Sequence, residues 1–452
     1  MDKHDNTDNH QLISTSPSFR TDLAKKLEEL VPEAIADGRV DVVRLKELLA
    51  EDAGEPNERF GLFWPGKKQA LRAAQDPTTA TLRPAKDESK DWDTTNNIFI
   101  EGDNLEVLKV LQKQYHNSIK MIYIDPPYNT GKDFVYPDNF KEGLQNYLEF
   151  SQQVDEGNKK ISTNTETAGR YHSNWLNMMY PRLKLARNLL TDDGVIFISI
   201  DDAEQANLKK ICDEIFGEGN FVSQIVWQKK YAPQNDAKYF STSHDYILIY
   251  ARSIERFSRN LLPRSKEQLA RYKNIDNDPR GPWQSDNFTV ATYSASYDYP
   301  ITLPSGRTIN PTPGRCWRTS YENYKKLVAD NRISFGLDGD NVPRIKRFLS
   351  EVQDGSVPET LWLYKDVGHN QGAATSLKNL MDGKKYFDYP KPVTLIEFMA
   401  KIASSRDSLI LDFFAGSATT AHAVMQLNAE DGGNRKHIMV QLPEPTDEKS
   451  EA

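Results

Sequence analysis

A proline pair that stops a buried strand constrains this chain more than any other feature. Met121–Ile124 is apolar and reads as a short covered strand, and it runs directly into Asp125-Pro126-Pro127-Tyr128-Asn129-Thr130-Gly131. Proline has no amide hydrogen for a sheet ladder, so pairing cannot continue past Asp125. The strand end therefore presents a carboxylate, a rigid turn with carbonyl acceptors and an aromatic face. Ligands of open α/β sheets bind at this edge, and a flat nitrogenous base suits the inventory. The same residues also suit a plain strand cap and proline turn, and the segment alone does not choose.

The surrounding chain alternates strand and helix. Asn97–Ile100 is a short strand, Glu101-Gly102-Asp103-Asn104 ends it, and Leu105, Leu108 and Leu111 mark a helix. With the Met121 strand this is one βαβ unit, which predicts two parallel strands lying close together, with Asp103 and Asp125 on one edge. Asn104 reads either as a helix cap or as a ligand. Trp175, Met178, Met179, Leu183, Ala186, Leu189 and Leu190 line a long helix ended by Asp192-Asp193-Gly194. Val195–Ile200 is almost wholly apolar, as a sheet covered on both faces requires. Asp201 and Asp202 then read as helix caps, followed by a helix to Phe216 and strands at Phe221–Trp227 and Asp245–Tyr250.

Near the other end, Ser408–Thr420 reads as a strand, a turn of small residues and a helix start. Ser417, Thr419 and Thr420 can cap that helix, and the small residues let backbone approach a ligand. The last strand, His437–Leu442, leads to Glu444, and an acid after the second strand of such a sheet can bind ribose hydroxyls. Glu444 lies later than the usual interval of about 20 residues; the helix and the Gly432-Gly433 turn absorb the excess. Asp412 as a turn former and Glu444 as a tail residue are the plainer readings.

A chain of 452 residues holds two or three domains. No run of about 18 apolar residues is present, and Met1–Thr15 lacks an apolar signal core, so a cytoplasmic protein is expected. Cys212 and Cys316 are far apart in sequence, and neither a disulfide framework nor a metal site is expected. Gly61–Lys68 resembles a phosphate-binding loop, but Lys68 stands where Ser or Thr would hold magnesium and no strand precedes it. A surface loop is expected instead. Residues 1–17 read as disordered, and two short helices as covering 23–30 and 42–49.

The net charge of −8 argues on average against a nucleic-acid partner. Phosphates respond to local excess, however, and Lys229–Arg280 carries 11 Lys or Arg against 6 Asp or Glu. From 254 to 386 the alternation breaks down, and Trp283, Tyr293, Tyr297, Tyr299, Trp317 and Trp362 interleave with Arg280, Arg307, Arg315, Arg318, Arg344, Lys346 and Arg347. Cations that position a backbone beside rings that stack on bases fit this pattern. So does a small α+β domain with an aromatic core.

Asp-Pro-Pro-Tyr first, then Pro390-Lys391-Pro392, then Phe414-Ala415-Gly416-Ser417-Ala418-Thr419-Thr420 resembles the β-class amino-methyltransferases of DNA. The longer runs Gly102–Leu108, Asp125–Gly131, Asn174–Leu183 and His244–Leu248 resemble the modification (Mod) subunits of type III restriction–modification systems, and the likeness spans about Phe60 to Glu444. It implies a Rossmann-like α/β sheet, circularly permuted, in which Asn97–Glu101 supplies the third strand and a target-recognition domain is inserted. The corresponding division is an N-terminal tail with helices at 1–57, catalytic segments at 58–253 and 387–452, and the inserted domain at 254–386.

The resemblance further implies that S-adenosylmethionine lies over the Asp412–Thr420 turn, held by Asp412, Phe414, Gly416, Ser417 and Thr419, with Lys391 at its methionine end, Glu444 on its ribose and Asp103 nearby. Asp125 and the Pro126 carbonyl would accept from the target amine, Pro127 would stiffen the turn and Tyr128 would stack on a base flipped from double-stranded DNA. A homodimer and a restriction (Res) subunit are further implied partners. An Asp at the head of the tetrapeptide resembles adenine-N6 enzymes; cytosine-N4 transfer and a catalytically silent DNA-specificity subunit are the alternatives. Two departures stand out: Ala418 replaces the glycine of many relatives, and type III subunits run well beyond Glu444.

Overall fold

The structure, a computed structural model, describes residues 26–27, 30–36, 39–49, 61–130 and 170–443. Two compact units result, one of Met1–Asn260 with Glu359–Ala452 and one of Leu261–Pro358. Among the described residues no helix is long and apolar enough to cross a membrane.

The first unit is built on an eight-stranded sheet. In chain order its strands are β1 (Ile98–Glu101), β2 (Ile119–Ile124), β3 (Leu190–Ile200), β4 (Phe221–Gln228), β5 (His244–Ala251), β6 (Leu361–Trp362), β7 (Leu409–Asp412) and β8 (Lys436–Gln441). Their spatial order is β6-β4-β5-β3-β2-β7-β8-β1, and only β5 runs against its neighbours. The last two strands of the chain sit between the first two, which is the expected circular permutation. One expectation fails here: β1 and β2 are parallel but not close, because β7 and β8 separate them. A βαβ pattern fixes direction and hand but leaves room for later strands to enter.

Alternation along β2 sends Ile122 and Ile124 to one core and Met121 and Tyr123 to the other. The first core packs against α1 (Lys67–Gln75), α2 (Asn104–Tyr115), α3 (Arg170–Leu189) and α4 (Gln205–Phe216); the second packs against α5 (Val393–Ala403) and α6 (Thr419–Asp431). Both sides of the sheet are covered, which is why β3 is apolar throughout Val195–Ile200. That strand starts earlier than the sequence suggests. α3 ends at Leu189, and Thr191–Gly194 bulges where the register with β2 jumps between Ile119 and Met121. A side chain on Gly194 would meet the Thr191 and Ile119 carbonyls at 2.9 and 3.0 Å, so the bulge needs glycine.

Gly61–Lys68 is an anchor on α3. Trp64 Nε1 donates to Asn177 at 2.7 Å, Asn177 Nδ2 donates to the Pro65 carbonyl, and Lys67 pairs with Glu214 at 2.6 Å. Of the two expected N-terminal helices, one appears as Val42–Leu49; the other falls largely outside the described residues, as does the tail expected to be disordered.

The second unit carries a three-stranded antiparallel sheet of Ile333–Ser334, Arg344–Phe348 and Trp283–Asn287. Its core gathers Phe288, Ile301, Leu303, Trp317, Tyr324 and Ile333. Trp317 and Trp283 are therefore structural, and Trp362 belongs to β6 of the other unit. Most of the basic residues are spoken for. Arg280 pairs with Asp278, Arg307 with Asp340, Arg318 and Arg347 with Asp286, and Lys346 with Asp276. Arg315 and Arg344 instead donate to neutral groups, Thr289 for the first and Ser285 with Asn287 for the second.

Candidate active site

The end of β2 is held from several directions. Lys391 Nζ makes an ion pair with Asp125 Oδ2 and stands 5.1 Å from the centre of the Tyr128 ring. Trp175 of α3 donates to the Pro127 carbonyl at 2.6 Å. Asn129 takes the left-handed conformation at φ 63°, which asparagine tolerates, and its amide donates to Glu204 at 2.5 Å. Glu204 is fully buried and also meets Asn207 at 2.8 Å and His172 at 2.6 Å. The turn is thus clamped on both sides of Tyr128.

Among the described residues, Asp125 Oδ1 and the Tyr128 hydroxyl, both buried inside this clamp, make no hydrogen bond of good geometry, and the hydroxyl lies close enough to the Asp125 carboxylate to interact with it. Each such group costs about 1–3 kcal/mol, which a fold tolerates where a ligand completes the bond. Burial first, and the Asp125 carboxylate second, hold the Tyr128 hydroxyl well above its ordinary pKa, so it stays protonated. Asp245 at the start of β5 pairs with Lys229 and lies within electrostatic reach of Asp125 and Lys391; burial raises its carboxyl.

The second motif forms a tight turn between β7 and α6. Asp412 is 2% exposed and ties the turn together, accepting from Phe414 N at 3.0 Å and from the Thr420 hydroxyl at 2.6 Å. Gly416 N donates to Gln441 at the end of β8 at 2.8 Å, and Ala415 N to the Val440 carbonyl. Gly416 has φ 50°, and a methyl group there would come within 3.0 Å of the Phe387 ring. The Ser417 and Thr419 hydroxyls are 3.0 Å apart, and Phe414 is packed in the core beside Phe413. A turn of this shape, with an aromatic ring against its glycine and hydroxyls beside it, fits a nucleoside-bearing cofactor.

Ala418 occupies the left-handed region at φ 56°, ψ 31°. An alanine there costs roughly 1–2 kcal/mol in backbone strain, and glycine would return part of that to unfolded-chain entropy. Ala418→Gly is expected to stabilise the protein by about 1 kcal/mol, measured by urea unfolding, with an unchanged or lower midpoint counting against the strain.

A polar bracket ties the second motif to α2 and α3. Asn104, read from sequence as a cap or a ligand, is the first residue of α2 and 1% exposed; its amide donates to the Phe413 carbonyl at 2.7 Å while its oxygen accepts from Arg182. Asp103 is the cap, accepting from Leu105 N and Glu106 N, and its other oxygen faces Arg182 at 3.3 Å. Asp201 closes a turn onto Ala203 N. Asp125, Tyr128 and Lys391 are brought together, Asp412 lies within electrostatic reach of Asp125 and Lys391, and Glu444 is outside the described residues. Sequence reasoning missed Arg182, Glu204 and the Asp125–Lys391 pair; a lone charged residue in an apolar helix stripe was the available signal for Arg182.

Residues 119–434 match the family model described as DNA methylase. The chain is 38% identical to the type III restriction-modification enzyme StyLTI Mod subunit of Salmonella typhimurium, over 96% of this chain and 68% of that protein. It is 35% identical to the EcoPI Mod subunit of Escherichia phage P1, over 88% and 66%, and 31% identical to the type II methyltransferase M.KpnI of Klebsiella pneumoniae, over 78% and 82%. It spans about two thirds of the length of the two Mod subunits. A permuted sheet with an acid and two prolines at one strand end, a glycine turn at the next, and relatives of this kind have one reading: the chain belongs to the DNA methylase family.

Proposed function

We propose that the chain transfers the methyl group of S-adenosylmethionine to the exocyclic N6 amine of an adenine flipped out of duplex DNA, as the modification part of a type III restriction–modification system. The observation that carries this reading is Asp125 Oδ1, a buried carboxylate oxygen at the end of β2 that makes no hydrogen bond of good geometry among the described residues. Lys391 holds the Oδ2 side, and Trp175 occupies the Pro127 carbonyl, which leaves Asp125 Oδ1 and the Pro126 carbonyl as the acceptors of the turn. An exocyclic amine is conjugated and barely nucleophilic. Two acceptors that draw its hydrogens out of conjugation free the lone pair, and Oδ1 is placed to take the proton that the methylated nitrogen loses. S-adenosylmethionine, when bound, supplies an electrophilic methyl on a sulfonium. Gly416, Ser417, Thr419 and Phe414 would hold it, with Lys391 at its methionine end, and the resemblance adds Asp103 and Glu444.

The target amine points into a base pair, so the base must leave the duplex at a cost of a few kcal/mol, offset by contacts elsewhere. The Leu261–Pro358 unit is the proposed reader. It carries 14 Lys or Arg against 11 Asp or Glu, and a groove of about 280 Å³ is lined by Arg271, Lys273, Trp283, Ser285, Asn341 and Arg344. Arg344 is held rigid there by neutral partners, so its charge is available to phosphate. The names of the Mod subunits add a restriction subunit as a proposed partner.

The test is transfer of labelled methyl from S-adenosylmethionine to unmethylated DNA, followed by nucleoside analysis. Label in N6-methyladenine is the expected result. Label in N4-methylcytosine would overturn the choice of base, and cofactor binding without transfer to any duplex would overturn the reaction.

A further inference from the structure

The connection between β4 and β5 leaves the sheet at the same edge as the candidate active site. β2 ends at Ile124, which pairs with Ile198; Ile198 pairs with Leu248, and Asp245 with Trp227 at the far end of β4. Residues 229–243 therefore emerge at the sheet edge that carries Asp125, with β3 standing between β5 and β2 and with Asp245, just past the connection, in electrostatic reach of Asp125. The base of this connection is tied: Lys229 N and Lys230 N donate to the Ser243 carbonyl, Gln234 N to the Ser241 hydroxyl and Lys230 Nζ to Gln234. Among the described residues nothing covers its tip. Tyr239 is 79% exposed and Phe240 is 92% exposed, side by side.

Single exposed apolar residues are ordinary, but two adjacent large rings at the rim of a site call for an occupant. Two lysines, Lys230 and Lys238, accompany them against the single acid Asp236, Lys229 being matched by Asp245, and Lys238 Nζ lies 5.1 Å over the Tyr239 ring. Rings flanked by cations suit bases flanked by phosphates. Extruding a base leaves a gap in the stack, and apolar side chains inserted between base steps are a known way of holding a duplex open.

We propose that Tyr239 and Phe240 form the wedge that enters the base stack when the target base leaves it. The proposal rests on the methyltransferase reading above. Stacking on a base is worth about 1–3 kcal/mol, the same scale as the flipping cost it would offset.

The experiment compares methyl transfer by the full chain on two duplexes carrying its methylation site, located beforehand by sequencing methylated plasmid DNA. In one the target base is paired; in the other it faces an abasic site and is already free to leave. The Tyr239→Ala/Phe240→Ala variant should lose about 10- to 100-fold in kcat/KM on the paired duplex and stay near wild type on the abasic one, with S-adenosylmethionine affinity unchanged. Tyr239→Leu/Phe240→Leu, which keeps an apolar tip, should recover most of the loss and guards against misfolding. Equal loss on both duplexes, or no loss on either, would overturn the wedge. A wild-type chain that methylates neither duplex would overturn the methyltransferase reading and the wedge with it.

Discussion

Asp125→Ala is expected to slow methyl transfer by more than about 1,000-fold, with S-adenosylmethionine affinity held within a few-fold. The loss of one charge-assisted hydrogen bond, about 1.5–3 kcal/mol, accounts for roughly 10- to 150-fold. Loss of the proton acceptor and of the alignment of the amine supplies the remainder. Asp125→Asn separates these contributions from shape. With Lys391 on the Oδ2 side, an asparagine amide turns its oxygen toward the ammonium, which leaves its NH2 facing the substrate amine. Donor would meet donor, so the isosteric variant should be nearly as slow as alanine. Single-turnover transfer with matched calorimetry of cofactor binding checks both variants, and a near-wild-type rate for either would remove Asp125 from the chemistry.

The features that carry this argument were unevenly legible. Where strands stop is local, and Pro126 and Pro127 declared it. Covering of the sheet is written in the unbroken apolar run of β3, and the permuted order in the sequence of motifs. Partnership is different. Lys391 and Asp125 are 266 positions apart, and no pattern within either segment says that one cation faces one carboxylate. The same blindness affects the Leu261–Pro358 unit, where sequence shows the sign of each charge but not that Arg280, Arg307, Arg318, Arg347 and Lys346 are already matched by aspartates. Free positive charge is a property of the fold, and of the seven named residues it leaves Arg315 and Arg344 bonded to neutral groups. Glu204 escaped notice because it follows two more conspicuous acids, Asp201 and Asp202, and only burial distinguishes it.

Asp412→Ala should abolish measurable S-adenosylmethionine binding, a loss of at least about 100-fold, because two buried bonds go together. Phe414 N and the Thr420 hydroxyl both rest on this carboxylate, and each, left unmatched in the interior, costs about 1–3 kcal/mol. Asp412→Asn distinguishes the bonds from the charge, since its oxygen can still accept from Phe414 N while its amide donates to the Thr420 hydroxyl. Burial pushes the Asp412 carboxyl up to about 7, with Asp125 adding to the rise, and the Thr420 hydroxyl, Phe414 N and Lys391 only partly offset it. An unfolded aspartate titrates near about 4, so between about pH 4 and 7 the folded chain binds the extra proton and stability falls as pH rises. His437, pushed down to about 4 by burial, gives the opposite slope over part of that window, so the informative quantity is the difference between wild type and Asp412→Asn. That difference should favour Asp412→Asn at pH 8 and fade toward pH 5 in urea unfolding, while cofactor binding survives. A slope that persists unchanged in Asp412→Asn would assign the proton to another buried group, and the turn would then be held by hydrogen bonds whose acceptor carries its charge without strain.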